Sequence, residues 1–587
     1  MEDNKFSGND VSMGSSVIVE SKEQNILFVS LPAIPLSKLV SGTTSRSVKT
    51  YNFGILYLSS ILKQKGHKGH LACVDYFKQQ HSEELAKDVV GFIASEATKA
   101  FPANKEPDIL AIAFMLSTSY EFFCECLPVL KKLWPRTKVI VGGMHASNAV
   151  KHLLDNFLDI DYVLAGEAEQ SFPLLLSALS EGENTNALRG VHSCGSIKLG
   201  TNGKPEIALP VDLDDLPFPD WDMIDMEYYA GSGDQHFWDE VSASRGAYVN
   251  YRHAAIFTSR GCPFRCTYCA SHTIHERKFR QKNLERVIEE MKELNRRYGI
   301  NFFHVHDDLA LVRKDRALEL LPAMASTGIK NLQVSFTSSL AVNCTDEEVI
   351  DALIKYTGIR TIAIAIETAN QDMQKAIKKN AKLDKAEQLI RYAQSKGLVV
   401  TINHILGFPE ETAEQMRKAI TNVHNFLRPN WTKYHSAMPI IGTEMYEQFL
   451  AMGIITDGPE TWANEFNHRI FDTPWIKATD LNELRYRADL ETNYVNNNDL
   501  KSGNYPLAKL MFESVIKLYP FQIFAWDGVR SAEVLAGNEQ GAQSAEQKIR
   551  ELVQNDSRSS TLLQKYGDLI PEVFEKYSSY AVCEVKN

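Results

Sequence analysis

Long apolar runs are missing from this chain. No stretch approaches the roughly 18–20 consecutive apolar residues that a bilayer-spanning helix requires, so no membrane span is expected. Residues 1–24 are polar, serine-rich and acidic, with no continuous apolar core. That composition suits neither a signal peptide nor an anchor, and a disordered lead-in is expected there. Basic residues are also in deficit: 63 Lys and Arg against 74 Asp and Glu give a net charge of −11. That balance and the lack of a Lys/Arg-dense face argue against nonspecific nucleic-acid binding as a main activity. Cysteine is scarce and odd in number, nine in all. Six of these, Cys73, Cys124, Cys126, Cys194, Cys344 and Cys583, have no disulfide-like spacing. A reducing cytoplasm is the compartment that fits. At 587 residues, with 44% of them hydrophobic, the chain exceeds one core and should divide into three or four units.

The other three cysteines stand together. Ser259-Arg-Gly-Cys-Pro-Phe-Arg-Cys-Thr-Tyr-Cys-Ala-Ser-His272 places Cys262, Cys266 and Cys269 in a C-x3-C-x2-C spacing. Three thiolates on one short loop can hold three corners of a cubane iron–sulfur cluster and leave the fourth iron open to another ligand. A structural zinc knuckle completed by His272, or a disulfide cluster, are the alternatives that spacing leaves open. The run Ala254–Thr258 before the loop reads as a buried strand, which puts the cysteines at a strand's carboxyl end, where α/β barrels carry their active sites.

Upstream, short apolar runs alternate with helical patterns. Candidate strands are residues 25–30, 70–75, 109–115, 138–143 and 162–165, with helices such as 54–63, 119–133 and 149–157 between them. Alternation of this kind predicts a Rossmann-like, doubly wound domain over 25–185, with its ligand site beyond the carboxyl ends of the strands. Ser117, Thr118, Gly142 and Gly143 fall at that opening. Residues 211–222, with two prolines and five aspartates, cannot form a regular helix or an interior strand and mark a connector within a linker and approach segment, 186–250. From 251 to 450 the alternation resumes. Six candidate strands (254–258, 301–306, 332–336, 361–366, 399–404 and 432–436), with helices filling the gaps between them, predict a partial (β/α)6 barrel.

The cysteine spacing, with Tyr268 as the aromatic before the third cysteine, resembles the signature of the radical S-adenosylmethionine (radical SAM) enzymes. The upstream domain is similar to the cobalamin-binding domain of one large class in that family. That likeness implies a 4Fe–4S cluster on Cys262, Cys266 and Cys269, with S-adenosylmethionine on the open iron. It also implies a tail slot for cobalamin lined by Ser117, Thr118, Gly142, Gly143 and His145. Ala165-Gly-Glu-Ala-Glu-Gln-Ser-Phe172 matches the motif that closes the domain. No D-x-H-x-x-G follows the first strand, so a cobalt-ligating histidine has no counterpart, and a domain that keeps the fold without cofactor stays an alternative. Three strand ends supply the contacts the family makes with S-adenosylmethionine: Asp307 and Asp308 for the methionine amino group, Glu367 for ribose hydroxyls or the amino group, and Gly407 and Pro409 beside adenine.

The resemblance implies reductive cleavage of S-adenosylmethionine to a 5′-deoxyadenosyl radical that abstracts hydrogen, leading to methylation of an unactivated carbon. Cyclisation, epimerisation or rearrangement without methyl transfer are the alternatives within the family. A noncatalytic cobalamin or iron–sulfur sensor is the alternative outside it. A small-molecule, lipid, peptide or carrier-bound substrate and a flavodoxin- or ferredoxin-type electron donor are the partners implied. No individual catalytic side chain can be named from these motifs.

The remainder, 451–587, is helical in pattern. Gly503-Asn504 recurs as Gly537-Asn538 and Ala508 as Ala542, an offset of 34 residues that is the tetratricopeptide period. A small TPR-like array is expected.

Overall fold

A computed structural model describes residues 23–32, 51–73, 88–102, 105–201, 203–230, 251–462 and 468–580. The expected lead-in over 1–24 lies almost wholly outside them, as does much of the approach segment.

The first unit is one six-stranded sheet in the order β2-β1-β3-β4-β5-β6. Its strands are β1 (Asn25–Ser30), β2 (Lys68–Cys73), β3 (Ile109–Ala113), β4 (Lys138–Gly142), β5 (Tyr162–Leu164) and β6 (Val191–His192). The first five are parallel; β6 joins antiparallel. Successive side chains of β1 go to opposite faces, and both faces are buried. Ile26 and Phe28 pack under α1 (Phe53–Gln64) and α4 (Ala168–Glu181). Leu27 and Val29 pack under α2 (Val89–Ala100) and α3 (Tyr120–Leu133). That is why the strands read as unbroken apolar runs rather than as alternation. The two-residue β6 was too short to show in the pattern.

The second unit holds seven parallel strands in two arcs. One is β11-β10-β7 and the other β12-β13-β14-β15. The strands are β7 (His253–Ile256), β10 (Phe302–Val305), β11 (Gln333–Phe336), β12 (Leu340–Ala341), β13 (Thr361–Glu367), β14 (Val399–Leu406) and β15 (Trp431–Ser436). Between β7 and β10 the chain makes a two-residue antiparallel hairpin, β8 (Ser259–Arg260) with β9 (Arg280–Gln281). Helices α5 (Leu284–Tyr298), α6 (Lys314–Ala325), α7 (Glu347–Thr357), α8 (Leu383–Ser395) and α9 (Ala413–Asn422) cover the outside. All six expected strands are present within a few residues of their expected bounds. The additional β12 is two residues long.

The C-terminal region is helical: α10 (Ala478–Leu490), α11 (Tyr505–Leu518), α12 (Ile523–Leu535), α13 (Glu539–Asn555), α14 (Ser557–Tyr566) and α15 (Pro571–Tyr577). Its core, including Leu490, Tyr494, Phe512 and Phe524, is continuous with Val399 of β14 and Trp431 of β15. The helices are therefore fused to the edge of the second unit by shared apolar burial.

Candidate active site

The cysteine loop, residues 261–279, is closed at its base by the β8–β9 hairpin. Its floor is pinned by two backbone bonds, from Thr267 N to Ile377 O (3.0 Å) and from Met445 N to Thr267 O (2.9 Å). All three thiols are free. Burial raises each of their pKa values. Cys269 reaches about 11, with the charges of Cys266 and Cys262 contributing after burial. A cationic centre among three such sulfurs would relieve both effects at once, which is the electrostatic demand an iron–sulfur cluster meets. Among the described residues no three His, Cys, Asp or Glu side chains converge as ligands of a single metal ion. His272 instead turns its Nδ1 to the Cys269 carbonyl at 2.9 Å.

The loop contributes to two cavities. The smaller, about 290 Å³, lies inside the strand arcs and is lined by Tyr268, Glu367, Asn403, His435 and Ser436. Glu367 reaches it through a β-bulge: the β13–β14 register shifts between Ala365 and Glu367, and Glu367 adopts φ +67°. A bulge re-aims one side chain, and a non-glycine residue at positive φ is a strain kept at functional positions. Lys379 pairs with Glu367 at 3.3 Å. Tyr268 packs against Phe408 with the rings tilted by 50° and their centroids 5.8 Å apart.

The larger cavity, about 520 Å³, opens between the carboxyl ends of the first sheet and the strand ends of the second. Gly142 and Gly143 line it on one side, and Arg260, Ser271, Ile274, His275, His306 and Asp308 on the other. Gly143 has φ +108°, and a Cβ there would stand 2.7 Å from the Phe114 carbonyl. Only glycine allows that approach. Tyr51, Phe53, Phe257 and His306 form an aromatic wall, with Phe53 and Phe257 centroids 4.7 Å apart. His306 is open to the cavity, yet its burial from bulk water lowers its pKa to about 4, so the imidazole is neutral.

The structure redistributes several expected contacts. Asp307 and Asp308 do not act as a pair. Asp307 is buried and accepts from Thr258 N (2.7 Å), Thr258 Oγ1 (2.5 Å) and Ser259 Oγ (2.5 Å). It braces the junction ahead of the cysteine loop. Of the two, Asp308 alone faces the cavity, where it also accepts from Gly261 N at 2.9 Å. Of the tail-slot residues, Gly142 and Gly143 line the large cavity, whereas Ser117, Thr118 and His145 are not among its walls. Ser117 Oγ lies 2.9 Å from His145 Nδ1. His145 is buried between Phe114 and Trp462, and burial, then the His152 charge, lowers its pKa to about 3. Gly407 and Pro409 form the turn beneath Phe408 rather than the wall itself.

Sequence reasoning missed Lys379, Asn403 and His435, and on the other side Tyr51, Phe53, Phe257, His306 and His275. The period-2 rule applied to His304-Val305-His306 could have found His306. Nothing local marks Lys379, which arrives from a loop beyond β13.

Two domain families match the chain: the B12 binding domain over residues 42–176 and the Radical SAM superfamily over residues 256–423. An uncharacterized methyltransferase of Pyrococcus horikoshii is 27% identical over 434 residues, spanning 74% of this chain and 85% of that protein. Cytidylyl-2-hydroxyethylphosphonate methyltransferase of Streptomyces wedmorensis is 25% identical over 457 residues, 73% of this chain and 83% of the relative. The fold is similar to that of the cobalamin-dependent S-adenosylmethionine radical enzyme OxsB, solved with aqua-cobalamin and S-adenosylmethionine bound. The TM-score is 0.59 at 12% identity, covering 96% of this chain and 85% of OxsB. With the three thiols, the bulged glutamate and the interdomain cavity in place, the chain carries a radical SAM domain that follows a B12-binding domain.

Proposed function

We propose that the chain transfers a methyl group to an unactivated carbon of its substrate. The observation that carries this reading is the position of the cysteine loop, which walls both the cavity containing Glu367 and the cavity at the B12-domain strand ends. Relatives named as methyltransferases span most of the chain and support it.

When bound, the cluster, S-adenosylmethionine and cobalamin supply reductive carbon–sulfur cleavage, hydrogen abstraction and the methyl donor respectively. In this reading Cys262, Cys266 and Cys269 hold the cluster. Glu367 accepts hydrogen bonds from ribose hydroxyls or from the amino group of S-adenosylmethionine, and Lys379 offers a cation to its carboxylate. Asp308 faces the neighbouring space. Gly142 and Gly143 let a flat ligand approach the backbone. The aromatic wall of Tyr51, Phe53 and Phe257 excludes water from the reacting volume, which protects a radical from quenching. The substrate is a small molecule, a lipid, or a peptide or carrier-bound group, and a flavodoxin- or ferredoxin-type protein supplies electrons. The eight cysteines among the described residues are free, which suits a reducing cytoplasm.

We assign the domains as 25–185 for cobalamin, 186–250 for the linker, 251–450 for a partial (β/α)6 barrel and 451–587 for a helical cap. α11 and α13 begin at Tyr505 and Glu539, which supports the 34-residue, TPR-like period. The test is anaerobic reconstitution with iron, sulfide and hydroxocobalamin, followed by reduction in the presence of S-adenosylmethionine. About four irons and one cobalt per chain, with 5′-deoxyadenosine and methylcobalamin formed, are expected. Iron and 5′-deoxyadenosine without cobalt would overturn methyl transfer.

A further inference from the structure

Arg469 lies beyond the last strand of the second unit, yet it is among the most deeply buried side chains of the molecule, 2% exposed. Its Nη2 donates to the carbonyls of Gly407 and of Ala437, the latter at 2.9 Å. Those carbonyls close the ends of β14 and β15. Ala437 is itself a wall of the smaller cavity, and Gly407 begins the turn whose Phe408 packs on Tyr268. From the other side Glu411 accepts Gly407 N at 2.8 Å and Phe408 N at 3.2 Å. One turn is thus held at its carbonyl by a buried guanidinium and at its amides by a buried carboxyl group, whose pKa burial raises to about 7.

The arrangement is tight. Gly407 sits at φ +82°, and a Cβ there would lie 2.7 Å from Leu481 Cδ2 and 2.9 Å from Arg469 Nη1. The guanidinium is seated over Phe471 (4.8 Å) and Phe449 (5.6 Å). Its own backbone is clamped to α10: Arg469 N donates to Asn482 Oδ1 (2.9 Å), and Asn482 Nδ2 donates to Arg469 O (2.8 Å). Arg469 Nε and Nη1 and Glu411 Oε1 have no hydrogen-bond partner among the described residues. A buried guanidinium left short of partners is costly, so this one is retained for what its two carbonyl bonds organise.

We propose that Arg469 is a positioning residue of the S-adenosylmethionine site, by which the C-terminal region sets the shape of the pocket next to the cluster. This rests on the reading that the smaller cavity takes S-adenosylmethionine. The helical region beyond 450 is then part of the cofactor site as well as a cap.

The experiment uses the anaerobically reconstituted full chain and measures the S-adenosylmethionine dissociation constant by calorimetry. It also reads iron content, melting temperature and the kinetics of 5′-deoxyadenosine release. Arg469→Met is expected to weaken S-adenosylmethionine binding at least about tenfold with iron content unchanged. KM should rise while kcat moves less. Arg469→Lys should recover part of the affinity, since one ammonium can serve a carbonyl but lacks the planar fork. If Arg469→Met fails to fold, Asn482→Leu loosens the same clamp and should weaken binding in the same direction. Wild-type affinity in Arg469→Met overturns the proposal. So does wild-type affinity in Asn482→Leu where Arg469→Met is insoluble, and so does an affinity loss that only tracks melting temperature and is not rescued by lysine. A wild-type protein that binds no S-adenosylmethionine would instead sink the assignment of the cavity.

Discussion

Glu167 of the B12-binding domain accepts a hydrogen bond from Arg260 Nη1 at 3.0 Å, two residues ahead of the first cluster cysteine. His275 Nδ1 reaches the other carboxylate oxygen at 2.6 Å, and Arg280 of β9 pairs with it as well. Both stems of the cysteine loop and a residue inside it therefore meet on one carboxylate of the other domain. Burial opposes that charge, but His275 and the two arginines hold its pKa below the usual carboxylate range. Removing Glu167 takes that carboxylate from His275 and Arg280 while Arg260 keeps Glu169 at 2.7 Å, so the cost should fall at or below the about 3–5 kcal/mol of a broken buried pair. Glu167→Gln should lower thermal stability by that order and reduce iron retained after gel filtration. Full iron loading at an unchanged melting temperature would refute this coupling of the domains.

Each of Cys262→Ala, Cys266→Ala and Cys269→Ala should abolish the visible absorption of the reconstituted cluster and the release of 5′-deoxyadenosine. The exposed Cys194, changed to Ser, should retain both. Cluster absorbance persisting in any of the three alanine variants would show that another group ligates iron.

Gly142 allows a sharper test of the large cavity than Gly143. A Cβ at Gly142 meets nothing closer than 3.8 Å, whereas at Gly143 it collides with backbone. Gly142→Leu should fold, hold its iron and lose at least about tenfold in hydroxocobalamin affinity by equilibrium dialysis. Unchanged affinity would move the cobalamin site elsewhere.

Two buried neutral histidines predict an acid limb in stability. Burial, with smaller effects of neighbouring histidines, lowers His145 and His404 each to about 3. The unfolded chain takes up protons near 6.5 and the folded chain does not, so the contribution is complete above pH 6.5 and shrinks as pH falls towards 3. Each site should cost up to about 2 kcal/mol between pH 7 and 5. His404→Gln keeps an acceptor for Ala369 N, which His404 Nε2 receives at 3.1 Å. Urea unfolding should show the gap between this variant and wild type narrowing as pH drops from 7 to 5. A gap independent of pH would contradict a neutral, buried His404.

Local pattern was enough for much of this protein. The apolar runs of β1, β3, β4 and β14 are long enough, and buried on both faces, so their strand character shows without any knowledge of their neighbours. Cys262, Cys266 and Cys269 are close in sequence because one loop must hold one cluster, so that centre is visible in fourteen residues. Gly142, Gly143 and Glu367 were likewise placed by their strand ends, and the structure brings each to a cavity wall. Asp307 and Asp308 show the limit of such reading: adjacent acids look like a pair on paper, and past the strand end one turns inward to Thr258 and Ser259 while the other faces the cavity. The rest depended on the three-dimensional fold. Glu167 meets Arg260 across 93 residues, and Arg469 meets Gly407 across 62. Contacts of that range are set by which elements pack together, and no local propensity or spacing encodes them. Local spacing and pattern therefore set the chemistry of the cluster loop and the order of the strands. Tertiary packing alone decided which charges fix that loop and which distant arginine shapes the pocket beside it, because buried charges take their partners from the surfaces that burial brings together.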